Sequence, residues 1–304
     1  MKPIRSLFCA LALVLSTQAI AVPHARAEAP VPLLWKVSDK DNAIYLLGSF
    51  HLLRKDDYPL SADAEAAFAD AEHLLFELSP EEANSPGMVV QMTQAAMRRR
   101  AGSLQQDLGA QLWPRFERYA TSNGLPLAQL SLLEPWYLAL TVSMLQMTRQ
   151  GLDPALGLDR HFMQRAEAKG KPAAGLELAS EQIAVLAGMS LEEQRQLLAE
   201  ALDMAEQGSG QVEALHAAWR AGDAKLLWDK MAAEMRRDYP ALYRKINVAR
   251  NDAWLSKLQQ QLDGRSDDAL VVVGALHLLG EDGVVEKLRA KGYRVERICS
   301  ACAR

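Results

Sequence analysis

Cysteine is scarce in this chain, and membrane-length apolar runs and an excess of positive charge are missing; each shortage excludes a class of function. Three of the 304 residues are cysteines, too few for a disulfide framework. Cys9 lies in the leading segment, which leaves Cys299 and Cys302, in "CSAC" close to the C-terminus. A thioredoxin-type C-x-x-C opens a helix inside a βαβ unit. This one trails the final strand, so it reads as a small terminal disulfide in an oxidising compartment and not as a redox centre. Two thiols also fall short of the four ligands of a structural zinc site. Beyond the leading segment no stretch approaches the ~20 apolar residues that cross a bilayer. Lys and Arg number 34 against 38 acids, with no basic run, which argues against a nucleic-acid partner. Neither H-E-x-x-H nor G-x-S-x-G occurs, so a conventional helical zincin site and a nucleophile elbow are both excluded.

Residues 1–27 have the layout of a secretory signal peptide. Lys2 and Arg5 form a positive start, Leu7 to Leu15 an apolar run, and "ARA" (25–27) a small-residue cleavage site. A second cleavage site is available after Ala21. Loss of Lys2, Arg5 and Arg26 takes Lys and Arg from 34 to 31 against 38 acids, a net charge of −7. The expected mature protein is therefore acidic, exported to the periplasm or beyond, and without a transmembrane segment.

The rest reads as an α/β (α+β) fold, a single domain over 28–304. A small mixed sheet is expected from 28–80 and 265–304, with a large, mainly helical insertion over 81–264. "LLWKVSD" and "AIYLLGSFH" flank the polar turn "KDN" as a hairpin. "SADAEAAFADAEHL" is a helix capped by Ser61, with His73 at its end, and it leads into the apolar strand "LLFEL" at 74–78. Helical periodicity then runs to about Leu262, broken by "NSPG", "NGLP", "LDPALG", "GKP" and "GSG" and by one short strand, "PAAGLE" (172–177). "ALVVVGALHLL", "EDGVVEKLRAKG" and "YRVERI" close the chain as strand, helix and strand. Trp136, Tyr137, Met144 and Met147 give the middle an apolar, Met-rich helix, read as core packing with a hydrophobic groove as the alternative.

Two phrases repeat. Gly48-Ser49-Phe50-His51-Leu52-Leu53 returns as Gly274-Ala275-Leu276-His277-Leu278-Leu279, each after an apolar strand. With 18 glycines and six histidines in the chain, about 0.05 such G-x-x-H pairs are expected by chance. Glycine at a strand's carboxyl end permits a sharp turn or the close approach of a ligand, which makes Gly48 and Gly274 candidate substrate contacts. In open α/β sheets ligands bind in the crevice outside those ends. Glu77, at the end of "LLFEL", is costly to bury unless it is paired or bound to a cation. His51, His277 and Glu77 together form the ligand set of a divalent transition-metal site, for Zn, Mn, Co or Fe. The competing reading is two capped core histidines and a salt-bridged glutamate. His24, His73, His161 and His216 are single positions, expected to be solvated or packed.

The stretches "WKVSDKDNAIYLLGSFHLL", "LLFEL", "GLDRHFMQRAEAKGKPAAGLE", "ARNDAW" and "VVVGALHLLGEDGVVEKLRAKGYRVERI" resemble the TraB/PrgY/GumN family, whose extracellular animal relatives are the Tiki metalloproteases. They run in family order over nearly the whole mature chain. The family's two G-x-x-H motifs and the acidic residue after the first map onto His51, His277 and Glu77. Ser49 and Phe50 stand where the family commonly has small residues, which alters the pocket but removes no ligand. The resemblance also singles out Asp159, Glu177, Arg250 and Asn251. It implies a metal-dependent hydrolase fold, with peptidase activity belonging to the animal branch. The expected roles are metal ligands at His51, His277 and Glu77, with Glu77 a ligand or the general base, and a second carboxylate at Glu177. Arg250 is expected to hold an oxyanion or a substrate terminus, or else to form a helix-surface ion pair, as is Asp159; Asp159 and Asn251 are expected near the substrate. The expected function is an exported metal-dependent hydrolase, most simply a peptidase. The alternative is a non-catalytic protein that sequesters a peptide or another small exported ligand.

Overall fold

The computed structural model describes residues 28–303; residues 1–27, expected from the sequence to be a signal segment and including Cys9 and His24, lie outside the described residues. One six-stranded mixed sheet organises the fold. Its strands are β1 (Leu34–Ser38), β2 (Ala43–Ser49), β3 (His73–Phe76), β4 (Ala173–Gly175), β5 (Ala269–Gly274) and β6 (Arg294–Arg297), in the spatial order β4-β3-β5-β2-β1-β6. β1 and β2 form the expected antiparallel hairpin, with Leu34 opposite Leu47. Its turn is closed by Asp39, whose carboxylate accepts the backbone N–H groups of Asp41 and Asn42 at 3.0 and 3.1 Å.

β4, β3, β5 and β2 are all parallel. Every residue of β2 and of β5 is buried, which is why both strands read as continuous apolar runs and not as an alternation. The helix α1 (Ala62–Asp70), capped by the Ser61 hydroxyl, connects β2 to β3. β5 inserts between those two strands, so the crossover spans a strand supplied some two hundred residues later. His73 is the first residue of β3, paired with Ala269, and not a helix end as the sequence suggested. The extended backbone at Ala71 stops the helix before it reaches His73.

The intervening segment is helical apart from β4, and it builds satellite cores of its own, one around Leu108, Phe116, Leu138 and Leu198. It returns to the sheet through α2 (Leu158–Lys169), which ends on Gly170 at φ +65° and feeds β4. After β4 come α3 (Ala179–Ala187) and further helices, then α4 (Ala249–Gly264) directly before β5. Lys257 on α4 donates to Leu176 O at 2.7 Å, tying that helix to the end of β4. Cys299 and Cys302 are disulfide-bonded just beyond β6. Among the described residues no helix is long and apolar enough to cross a membrane.

Candidate active site at the carboxyl ends of the parallel strands

The four parallel strands deliver four functional groups to one edge. β2 leads to His51, β3 to Glu77, β4 to Glu177 and β5 to His277. Pairing continues past β3 and β4, where the Glu177 N–H donates to Glu77 O at 3.0 Å, so the two carboxylates start side by side. β2 and β5 are neighbours with Gly48 opposite Val273 and Ser49 opposite Gly274, which sets the two G-x-x-H turns together.

Close approach, and not a left-handed backbone, explains the two glycines. A Cβ on Gly48 would lie 3.1 Å from Leu33 Cβ and 3.2 Å from Ala275 Cβ, so this position serves packing between the turns where the sequence suggested substrate contact. A Cβ on Gly274 would lie 3.2 Å from Glu77 Oε1, 3.4 Å from His51 Nε2 and 3.5 Å from His277 Cδ2. The three groups therefore meet in the space that the absent side chain leaves open.

The protonation of His277 follows from its neighbours. Asn251, fully buried, donates through Nδ2 to Asp282 O at 2.8 Å, so its Oδ1 faces His277 Nδ1 at 2.7 Å and must accept. Nδ1 thus carries the proton, and Nε2 presents its lone pair to Arg250 Nη1 at 3.0 Å. Burial of the ring and the Arg250 guanidinium, against the pull of Glu77, push the His277 pKa down to about 3. The ring is a neutral imidazole, packed 4.5 Å from the Trp254 ring.

His51 is anchored in the same way by Asp159, whose Oδ1 lies 3.1 Å from Nδ1 and also accepts from the Ser49 hydroxyl at 2.8 Å. Burial opposes a charge on His51, yet the carboxylates of Asp159 and Glu77 raise its pKa above the ordinary histidine value. More than half of its side-chain surface, 56%, is accessible. Water therefore screens the pair, and the rise is smaller than two buried charges would give. Asp159 reaches His51 because the start of α2 is pressed onto the turn: the Leu158 N–H donates to Phe50 O at 3.1 Å. A Cβ on Gly157 would sit 2.1 Å from His51 O. Gly157→Ala should accordingly cost about 1–3 kcal/mol of stability by overpacking and separate Asp159 from His51. Urea unfolding checks it, and an unchanged midpoint would show that α2 does not lie against the turn.

Arg250 joins the carboxylates to His277. Its Nη2 donates to Glu77 Oε2 at 2.6 Å and to Glu177, and its Nε to both Glu177 oxygens at 3.1–3.2 Å. Nη1 divides between His277 and Ile246 O at 3.4 Å. All five N–H groups of the guanidinium are therefore used within the protein. The structure places Arg250 as a clamp on these groups and not as a free donor for a substrate oxyanion or terminus, and it is no surface ion pair. Burial works against charge at Glu77, but the surrounding His277, Arg250 and His51, with the Gly274 N–H at 2.8 Å, hold its carboxyl well below the usual range. Glu177 is filled by Arg250, by Gln182 Nε2 at 2.7 Å and by Trp254 Nε1 at 3.2 Å. It positions Arg250 and has no lone pair directed at the crevice without a donor. Asn251 stands behind His277, where the sequence suggested a substrate contact, whereas Asp159, partly exposed, lines a cavity with His51 and Glu77.

The donors suit a divalent transition metal. Both imidazoles have Nδ1 held by an oxygen acceptor and Nε2 turned inward, the arrangement that ligating histidines show, and an anionic carboxylate lies between them. As arranged, no three His, Cys, Asp or Glu groups among the described residues are spaced to hold one ion. Arg250 occupies the His277 Nε2 lone pair and one Glu77 oxygen, contacts that an ion bound there would have to displace.

A buried network behind the first turn escaped sequence reasoning. Asp57, fully buried, accepts from His216 Nε2 at 2.8 Å, from Arg220, and from the Arg54 N–H at 2.6 Å. Trp219 stacks on His216 and donates to Gly48 O at 3.0 Å. Gln182, bridging Glu77 and Glu177, has no sequence signal at all. Trp254 had one: it follows Arg250 by four residues in "ARNDAW" and shares its helix face.

Comparison with known proteins agrees with this architecture. The family model described as the TraB/PrgY/gumN family matches residues 33–297, from just before β1 to the last residue of β6. The chain is 25% identical over 257 residues to the uncharacterized protein YbaP of Escherichia coli (strain K12), covering 81% of this chain and 87% of that protein. Identity and coverage are the same for YbaP of Shigella flexneri. No solved structure matches. With a match running the length of the sheet and across both G-x-x-H turns, the chain belongs to the TraB/PrgY/gumN family.

Proposed function

We propose that the crevice is the active site of an exported metal-dependent hydrolase that cleaves peptides. His51 Nε2, His277 Nε2 and Glu77 would hold one divalent ion, Zn, Mn or Co. Such an ion, when bound, polarises a carbonyl oxygen and lowers the pKa of its water toward ~7. The observation that carries the reading is the pair of imidazoles, each fixed through Nδ1 by an oxygen acceptor and turned through Nε2 toward the space beside Glu77. Asp159 and Asn251 set the tautomers, and Glu177 with Gln182 sets Arg250 and Glu77. Glu77, whose Oε1 lies 4.0 Å from His277 Nε2, would serve as a ligand or as the general base. The leading segment supports export, and with it a peptide or small exported molecule as the substrate.

One observation favours the second reading, a protein that binds an exported ligand without reaction: Arg250 satisfies the inward atoms of His277 and Glu77 within the protein. Incubating the mature chain with a mixed peptide library and Zn, Mn or Co separates the two. Cleavage that a chelator stops and added metal restores is the expected result. Peptides recovered bound and intact under all three metals would establish the binder.

A further inference from the structure

Beside the histidines lies a cavity of about 280 Å³. Its polar lining is largely the site itself, including His51, Arg250 and His277, and its other walls are apolar, formed by Phe50, Met147, Met231, Ile246 and Leu276. All of these apolar side chains except Phe50 are only partly buried, so they turn apolar surface to a void. Phe50 is fixed, packed 6.2 Å from Trp219 and 6.3 Å from His216.

The walls also carry a backbone signature. Met231 and Ile246 project from two separate five-residue π-helical turns, Asp229–Ala233 and Arg244–Val248. Such turns are rare and concentrate at functional sites. The second runs directly into α4. The wider turn sets the register in which Ile246 and Asn247 line this cavity while Arg250 and Asn251 reach His277.

We infer that this cavity receives one bulky apolar side chain of the substrate, Phe, Leu or Met, on a residue adjoining the peptide bond presented to His51 and His277. The inference rests on the peptidase reading above. A charged side chain would lose its hydration and find no partner on the outer walls. Two flexible thioethers let the walls close on side chains of different shape. A second cavity of about 240 Å³ shares Phe50, Met147 and Met231, which gives the peptide a way to continue past that residue.

The test uses the full mature chain and labelled hexapeptides of Ser and Ala with one central Phe, Leu, Ala or Asp, followed by fluorescence anisotropy and then by cleavage with Zn, Mn or Co. The Phe and Leu peptides should bind about tenfold or more tighter than the Ala and Asp peptides. Met147→Trp, which fills the cavity, should bring the Phe-to-Ala ratio close to one. Leu276→Trp, altering another wall, should do the same and guards against misfolding of the first variant. Equal affinity for all four peptides, or none for any, overturns the inference; if the peptides are nonetheless cut, the hydrolase reading stands without it. Selective binding of Phe and Leu with no cleavage under any metal supports the cavity's role and overturns the hydrolase.

Discussion

Arg250→Met should destabilise the protein by about 3–5 kcal/mol at neutral pH, because it strips Glu77 and Glu177 of their shared cation in a site both carboxylates occupy largely out of water. The loss should shrink on acidification. In the wild type the lowered pKa of Glu77 supplies stability that is present above its unfolded value of 4.5 and is lost as pH falls through the folded value of about 2. In the variant, burial acts on Glu77 without the guanidinium to offset it, so protonation near and below pH 4.5 relieves the unpaired charge. Urea unfolding at pH 7 and pH 4 measures both proteins, and an equal deficit at the two values would contradict this account of the clamp. Arg250→Lys should recover only part of the loss. One ammonium cannot reach Glu77, Glu177 and His277 together as the planar fork does.

Asp57→Asn is expected to cost a similar amount, about 3–5 kcal/mol, far more than so mild a change at the surface. The carboxylate is buried between His216 and Arg220, and an amide in its place meets donors on every side with only one acceptor atom. Burial opposes the charge on Asp57, but His216, the Arg54 N–H and Arg220 outweigh it and lower its pKa. That contribution is present above the ordinary aspartate range and disappears as pH falls, so the two proteins should converge in acid. Because Trp219 stacks on His216 and holds Gly48 O, the variant should also loosen the turn that carries His51. A pH 7 stability within 1 kcal/mol of the wild type would show that the network carries little.

Much of this site was readable from the sequence, for a physical reason. Parallel strands buried on both faces are unbroken apolar runs, and the residue that ends such a run stands at the edge where ligands bind. That logic points to His51, Glu77 and His277, whereas Glu177 is singled out by the family resemblance. It also gave the β1–β2 hairpin and the Ser61 cap, since both depend on neighbours in the chain.

The unread parts depend on contacts between distant segments. The sequence shows a helix between β2 and β3 but not that β5 enters between them. The resemblance singles out Asp159 and Asn251, yet only the fold reveals that they hold the Nδ1 atoms of His51 and His277, 108 and 26 residues away in sequence. His216 looked like one more helical histidine because its partner Asp57 is 159 residues away. The two π-helical turns lie outside what a 3.6-residue period can show, and they set which side chains reach the cavity.

Titration of the metal-stripped mature chain with Mn, Co and Zn salts by calorimetry, repeated on His51→Ala and His277→Ala, tests most directly whether the two turns hold one ion between them. One equivalent of metal bound by the wild type, with binding lost in each alanine variant, is the result this account predicts. Full stoichiometry retained by both variants, or no binding by the wild type under any of the three metals, would contradict it.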